Sequence, residues 1–468
     1  MSSCSAVPFV LCVASWTMAV DPLPVGFAAV DVTPKLPISL NGGMTDRAAR
    51  IVHDPLHARC LRVGDAAIVV VDSCMVPDGV VTSARAKLGE MKESLGIDPE
   101  KLIVSATHTH TAPTLAPTFQ SMPDENYVKE LPGKIVAAVK AAVAASAPAE
   151  VAFGFADEPN QVFNRRWKMK PGTIGPSPFG EMTDKVKMNP GVGNANLVEP
   201  AGPTDPQVFA LAARTKGGAK PLGLFANYSL HYVGDVQGDA VSADYYGEFA
   251  RRIKERRGGD NSGFVGVLSN GTSGNINNVN FRVAHPKAPP FGRIKLVADA
   301  VADAAEKALA GAKYEPVTVV RSAHRTLMLG VRKPTEAEIT RAKGIVAAKK
   351  GPQLAGLEEV YAGETLDMAN YPDEVPVRVQ ALRIGTVGIV AIPCEVFVEI
   401  GLAIKAQCPL KPTITISLAN GYAGYLPTEE HHRLGGYETW RAKSSFLATD
   451  AAPKIQAAAL ELLAEVAR

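Results

Sequence analysis

The chain has 468 residues, 46% of them apolar and 21% charged, and its 49 lysines and arginines against 47 acidic residues leave a net charge of +2. Those values exclude an intrinsically disordered chain and give no electrostatic footprint for nucleic acid or an anionic membrane surface. The length suits one large α/β domain or two to three average ones, so core burial is not limiting.

Residues 6–20, AVPFVLCVASWTMAV, match a signal-peptide h-region, and Thr17 and Ala19 offer small side chains for cleavage, although no Lys or Arg precedes them. Residues 1–19 are therefore expected to be a signal peptide, the protein secreted or periplasmic, and 20–468 a single domain. No later apolar run reaches the roughly eighteen residues that span a bilayer, so no transmembrane segment is expected in the mature chain. Cys60, Cys74, Cys394 and Cys408 show no CxxC spacing and read as buried thiols.

Short β-branched runs then alternate with amphipathic stretches, which predicts an α/β fold. AIVVVD (67–72) reads as a strand, 81–96 as one helix ending at Gly96, and KLIVSA (101–106) as a returning strand, together a βαβ-like unit. A helix over 125–146 and a strand at 150–156 follow. Residues 208–230 form a hairpin around Gly217-Gly218, which makes the sheet mixed and not wholly parallel. Further on come helices at 243–258 and 292–311, strands at 263–270 and 317–329, a hairpin over 375–393 and a final helix after Ala451. The Gly/Pro/Asn-rich stretch 171–206 and the region 330–372 are the weakest boundaries, with 335–350 a surface helix.

Several polar residues share one position, just past the C-terminal end of a strand, where open α/β sheets bind ligands. His108 and His110 follow LIVSA, His231 follows GLFANYSL, the segment SNGTSGNIN follows FVGV, Glu395 follows GIVAIPC, and Tyr425 follows ITISLAN. Imidazoles and a carboxylate from separate strands are a zinc-like set. Taken singly, His231 reads more readily as a structural histidine, and Glu395 as a carboxylate at the start of the helix VFVEIGLAIK. The His-x-His pair is the stronger signal, because alternate residues of an extended segment face one side.

The order of motifs resembles the catalytic domain of the neutral/alkaline, non-lysosomal ceramidases, which are zinc-dependent amide hydrolases. GFAAVDVTP with LNGG is similar to the family's opening, ATHTHTAP to GTHTHSGP, FNRR to INR, ANYSLH to the strand ending in the second zinc histidine, and AIPCE to LPGE; NGYAGY and the later GGYE complete the set. The resemblance implies mixed sheets flanked by helices, Zn2+ as cofactor, and His108, His231, Glu395 and Tyr425 as its ligands. It further implies that His110 and Tyr437 stabilise a developing oxyanion and that Arg165 positions substrate or stabilises charge. Tyrosine lies outside the usual zinc ligands, so Tyr425 rests on the resemblance alone.

One departure stands out. The family's catalytic serine falls in a segment like NLGDVSPN, and the matching stretch Asn270–Asn277 places Asn275 there. An amide cannot replace a hydroxyl that attacks carbonyl or transfers a proton, so Asn275 is expected to act as a hydrogen-bonding positioner beside zinc-activated water. The resemblance covers the family's catalytic domain, and the C-terminal β-sandwich is expected to be absent. The expected function is hydrolysis of an amide, or an ester, in a small or lipid-like substrate other than ceramide. A true ceramidase and a non-catalytic metal-containing binding protein are the alternatives.

Overall fold

A computed structural model describes residues 21–468 apart from Ala219 and Gln237. The expected signal peptide lies outside the described residues. In chain order the main elements begin with β1 (Pro24–Asp31), β2 (His57–Val63), β3 (Ala66–Val71), α1 (Asp78–Gly89), β4 (Leu102–Ala106) and α2 (Glu125–Ala144). They continue with β5 (Ala147–Asp157), β6 (Gln207–Thr215), β7 (Pro221–Tyr228), α3 (Asp244–Arg257), β8 (Val265–Asn270) and α4 (Gly292–Leu309). The last part holds β9 (Val320–Gly330), α5 (Glu336–Ala347), α6 (Gly356–Ala369), β10 (Glu374–Ile384), β11 (Val387–Ala391), α7 (Val398–Gln407), β12 (Thr413–Ile416) and α8 (Ala451–Ala467).

These elements stack in four layers. A large sheet runs β8-β7-β6-β5-β1-β2-β3-β4, and a smaller one runs β9-β10-β11-β12. The period-2 alternation of a strand sends successive side chains to opposite faces. In β1, Val25 and Phe27 point into a core shared with Leu382, Ile389 and Ile414 of the second sheet, while Ala28 points to the other face, where Val81 of α1 and Ile135 of α2 pack. Helices α3 and α4 cover β6 to β8 on the outer side. Phe397 and Ile400, at and just inside the start of α7, and Ile455 and Leu462 of α8 close the far face of the second sheet.

Both sheets are mixed, as the Gly-Gly hairpin predicts: β6 and β7 pair antiparallel. Within these two sheets the parallel pairs are β3 with β4, β7 with β8, and β11 with β12. The large sheet curls until its edges meet, and the Asn270 amide at the end of β8 donates to the Thr107 carbonyl just past β4, 3.3 Å away. The edge strand β12 joins the same seam, where the Ser417 amide donates to the Asn270 carbonyl at 3.0 Å. The C-terminal ends of all three parallel pairs therefore converge.

Some local expectations differ from the structure. The helix expected over 81–96 begins at Asp78, ends at Gly89 and resumes only as the single turn Lys92–Leu95. Gly89 has weak helix propensity, and Met91 leaves the helical region with φ −114° before Gly96 closes the turn at φ 61°. Residues 171–206 contribute two strands, Val186–Met188 and Leu197–Pro200, that pair on either side of Arg166–Met169. The region 330–372 folds as the two helices α5 and α6. Among the described residues no helix is long and apolar enough to cross a membrane.

Candidate metal centre

His108 stands one residue beyond Thr107 at the end of β4, in left-handed backbone with φ 72°. The expected extended geometry of the His-x-His pair is therefore replaced by a turn, which still brings His110 Nε2 to 3.4 Å from His108 Nε2. Gly42 of the LNGG segment makes this packing possible, since a Cβ there would lie 2.3 Å from the His110 ring. His231 follows β7 and sets its Nε2 2.9 Å from that of His108. Glu395 follows β11 in a two-residue parallel pairing with Tyr425, and its Oε2 lies 3.2 Å from His108 Nε2 and 3.9 Å from His231 Nε2.

Tautomers decide what this group can do. His108 Nδ1 faces the Cys74 carbonyl at 2.7 Å and His231 Nδ1 faces the Ser273 carbonyl at 3.0 Å. A carbonyl only accepts, so each Nδ1 must carry the proton and each neutral Nε2 presents a bare lone pair. Glu395 Oε1 accepts from the Tyr422 hydroxyl at 3.0 Å, whereas the buried Oε2 has no hydrogen-bond partner. With both rings neutral, three acceptors converge, and the donor in reach, Arg165 Nη1, lies 3.3 Å from His231 Nε2 and leaves Glu395 Oε2 unpaired, a costly arrangement unless a cation or a proton joins the carboxylate and His108. Burial alone disfavours the His108 imidazolium, yet Glu395 and Cys74 outweigh it and raise the group to about 10, the same demand for positive charge met by a proton. Burial, then Arg165 and His108, hold His231 well below the ordinary histidine range.

His108, His231 and Glu395 accordingly form a set that fits a metal ion. Cys74, His108 and His110 are also close, but the Cys74 thiol lies 3.7 Å from His108 Nδ1, the nitrogen already committed to a carbonyl.

Arg165 closes another side. Its Nη1 is 3.3 Å from His231 Nε2, and its Nη2 donates to the Gly274 carbonyl at 2.8 Å and to the Tyr425 hydroxyl at 3.0 Å. Tyr425 thus adjoins the group through Arg165, with the Tyr437 ring 5.9 Å from its own. His110 stacks on Tyr232 at 3.7 Å, and burial followed by the charges of His108 and Arg165 keeps it well below the ordinary range, hence neutral.

Asn275 is placed differently. Its backbone carbonyl accepts from the Arg165 amide at 2.9 Å, but its side-chain Oδ1 accepts from the Val398 amide at 2.9 Å and its Nδ2 donates to Glu399 at 2.9 Å. The amide therefore caps α7 and is not among the histidine nitrogens. Ser273 is likewise engaged, its hydroxyl donating to Asn270 at 2.8 Å. Gly274 between them packs on the Glu395 backbone, where a Cβ would come within 2.4 Å of the carbonyl oxygen.

Three neighbours were not singled out from the sequence. Tyr422 orients Glu395, Tyr232 covers His110, and the buried Glu438 binds Arg165 Nε at 2.9 Å and Arg166 Nη1 at 2.5 Å. Tyr422 and Glu438 sit inside the NGYAGY and GGYE motifs, and Tyr232 is adjacent to His231, so proximity to a quoted motif was the available signal.

No protein-family model and no curated protein sequence matches the chain. Solved structures do. The chain is similar in fold to the neutral ceramidase from Pseudomonas aeruginosa, with TM-score 0.71 and 18% identity over 95% of this chain and 74% of that one. A ceramidase complexed with C2 gives TM-score 0.69 and 17% identity over 96% and 75%. The fold is ceramidase-like, a single unit of mixed sheets flanked by helices.

Proposed function

We propose that the protein is a zinc-dependent hydrolase that cleaves an amide or ester bond in a small or lipid-like substrate, with His108, His231, Glu395 and Tyr425 holding the metal. The observation that carries this reading is the convergence of three buried acceptors with Glu395 Oε2 left unpaired. Likeness in fold to a neutral ceramidase supports the choice of bond. When bound, zinc supplies Lewis acidity and a nucleophile at neutral pH.

The chain's own residues account for the rest. His110 is neutral and beside the metal ligands, suited to hold or give a proton at the reacting carbonyl. Arg165, fixed by Glu438 and the Gly274 carbonyl, presents fixed positive charge where an oxyanion develops, and Tyr437 stands next to it as a second donor. Asn275, with its amide engaged by Val398 and Glu399, supports a route that uses activated water and no serine. It acts as a positioner, through α7 and through the backbone it shares with Arg165. We also infer export to the periplasm or medium, guided by residues 1–19.

The deciding experiment is metal analysis of the purified protein followed by a panel of amides and esters that includes ceramide in detergent. Stoichiometric zinc with turnover of soluble amides or esters is expected. Turnover of ceramide above the other substrates identifies a true ceramidase, and zinc without any turnover identifies a binding protein.

A further inference from the structure

Behind the metal centre lies a separate cavity of about 340 Å³. Ala29 of β1, Gly247 of α3 and Gly266 of β8 line it, and Phe264 and Ile294 give it apolar walls. On one side His53 stacks flat on Phe291, ring centroids 3.4 Å apart and planes 5° from parallel. Two non-glycine residues that border it, Asp244 and Phe291, hold left-handed backbone at φ 55° and 62°. Strain of this kind collects at functional sites.

The charges that face the cavity are unequally matched. Asp54 accepts from the Ser242 hydroxyl at 2.6 Å and the Ala243 amide at 2.7 Å, and Asp244 accepts from the amides of Val233, Gly234 and Tyr245. Glu248 is paired with Arg251, and Arg59 with Asp72. Lys254 holds only the Ser262 carbonyl, 2.7 Å away, and the exposed Lys295 helps to lower the Glu248 carboxyl but forms no ion pair among the described residues. The acids are engaged and the ammonium groups are open, so the charge left for a ligand is positive.

The wall between this cavity and the metal centre is hydrogen-bonded to both. The Ser242 carbonyl, next to the hydroxyl that Asp54 holds, accepts from Thr109 at 2.9 Å and Thr111 at 3.0 Å. Thr109 lies between His108 and His110. Asp244 holds the Val233 and Gly234 amides, directly after His231 and the Tyr232 that stacks on His110.

We propose that this cavity is a second ligand site, for a small organic carboxylate with a flat apolar body, and that its occupancy is coupled to the metal centre through Asp54, Ser242 and Asp244. The ring lies against Phe264 and the His53–Phe291 stack, and the carboxylate meets Lys295 and Lys254. Because the ligand braces the segments that carry the metal ligands, the two sites favour each other, and the coupling is reciprocal.

The test is a calorimetric titration of the zinc-loaded full chain with 2-naphthoate, using 2-naphthamide as the neutral control. Saturable binding of naphthoate is expected, weakened at least about tenfold for the amide, for Lys295→Glu and for Ala29→Trp, which fills the cavity from an exposed position. Naphthoate is further expected to raise the apparent zinc affinity, read by competition with a chelator, by about fivefold or more. Absence of saturable binding, or equal binding by Ala29→Trp, overturns the site. Equal binding of the amide overturns the ligand class, and unchanged zinc affinity overturns the coupling. These readouts do not involve turnover and stand whatever bond the metal centre cleaves.

Discussion

Two buried glutamates near the converging strand ends are built on opposite terms. Both oxygens of Glu438 are engaged by arginines, at 2.9 Å from Arg165 and 2.5 Å from Arg166. Burial alone would push this carboxyl up, but the two guanidinium groups overcome it and hold Glu438 below its ordinary value. Glu395 is equally buried, yet only its Oε1 is satisfied, and its Oε2 faces two imidazole lone pairs. A completed network fixes shape, whereas one that leaves a buried carboxylate oxygen unpaired beside two imidazoles fits a cation. The contrast separates residues that position from residues that bind.

The largest effect that can break this comparison is at the incomplete group. His108→Ala or His231→Ala should abolish stoichiometric zinc and activity together, measured by metal analysis after dialysis. Full zinc occupancy in either variant would show that the unpaired oxygen and the two Nε2 atoms do not mark the metal.

Breaking the completed group should act on the fold. Glu438→Ala leaves two buried arginines without their shared partner and should cost about 3–5 kcal/mol, read by denaturant unfolding. A loss under about 1 kcal/mol would mean that Glu438 is no structural clamp.

Between the two stands His110, which touches the proposed metal ligands without being assigned as one. His110→Ala should retain zinc while kcat falls about 10²- to 10³-fold, the usual cost of one oxyanion donor. Loss of zinc in this variant would make His110 a ligand and force the pair to be reassigned.

The legibility of the molecule follows the same division. Residues 66–106 could be read almost element by element, because a buried parallel pair with its crossover helix writes continuous apolar runs into adjacent sequence. The proposed ligands His108, His231 and Glu395 could be placed at strand ends for the same reason. The paired glutamate could not, because Glu438 is known only by partners more than 270 residues away, and in sequence it is one more charged residue. Helix α6 escaped for another reason: GLEEVYAGETLDMA carries little helical periodicity and gains its helix from packing of Tyr361 and Met368. The curl that joins β4, β8 and β12 is likewise a tertiary fact with no local signature.

Asn275 sharpens the comparison with the smallest effect. Its position in the motif order suggested a role at the reacting atoms, whereas its side chain belongs to the satisfied class, capping Val398 and holding Glu399, which in turn meets His431 at 3.0 Å. Asn275→Ala should therefore lower stability by about 1–3 kcal/mol, through the lost cap and the unpaired carboxylate, while zinc content is unchanged. Turnover should fall less than about tenfold, since the carbonyl that fixes Arg165 is backbone and survives the substitution. Asn275→Ser makes the point in the other direction. A serine built on this backbone is directed at the start of α7 and away from the histidine nitrogens, so it should confer no ceramide cleavage, tested with ceramide in detergent micelles. Measurable ceramide turnover by Asn275→Ser would mean that the segment 273–275 swings toward the metal when substrate is bound, and that the division between satisfied and unsatisfied groups does not hold at this position.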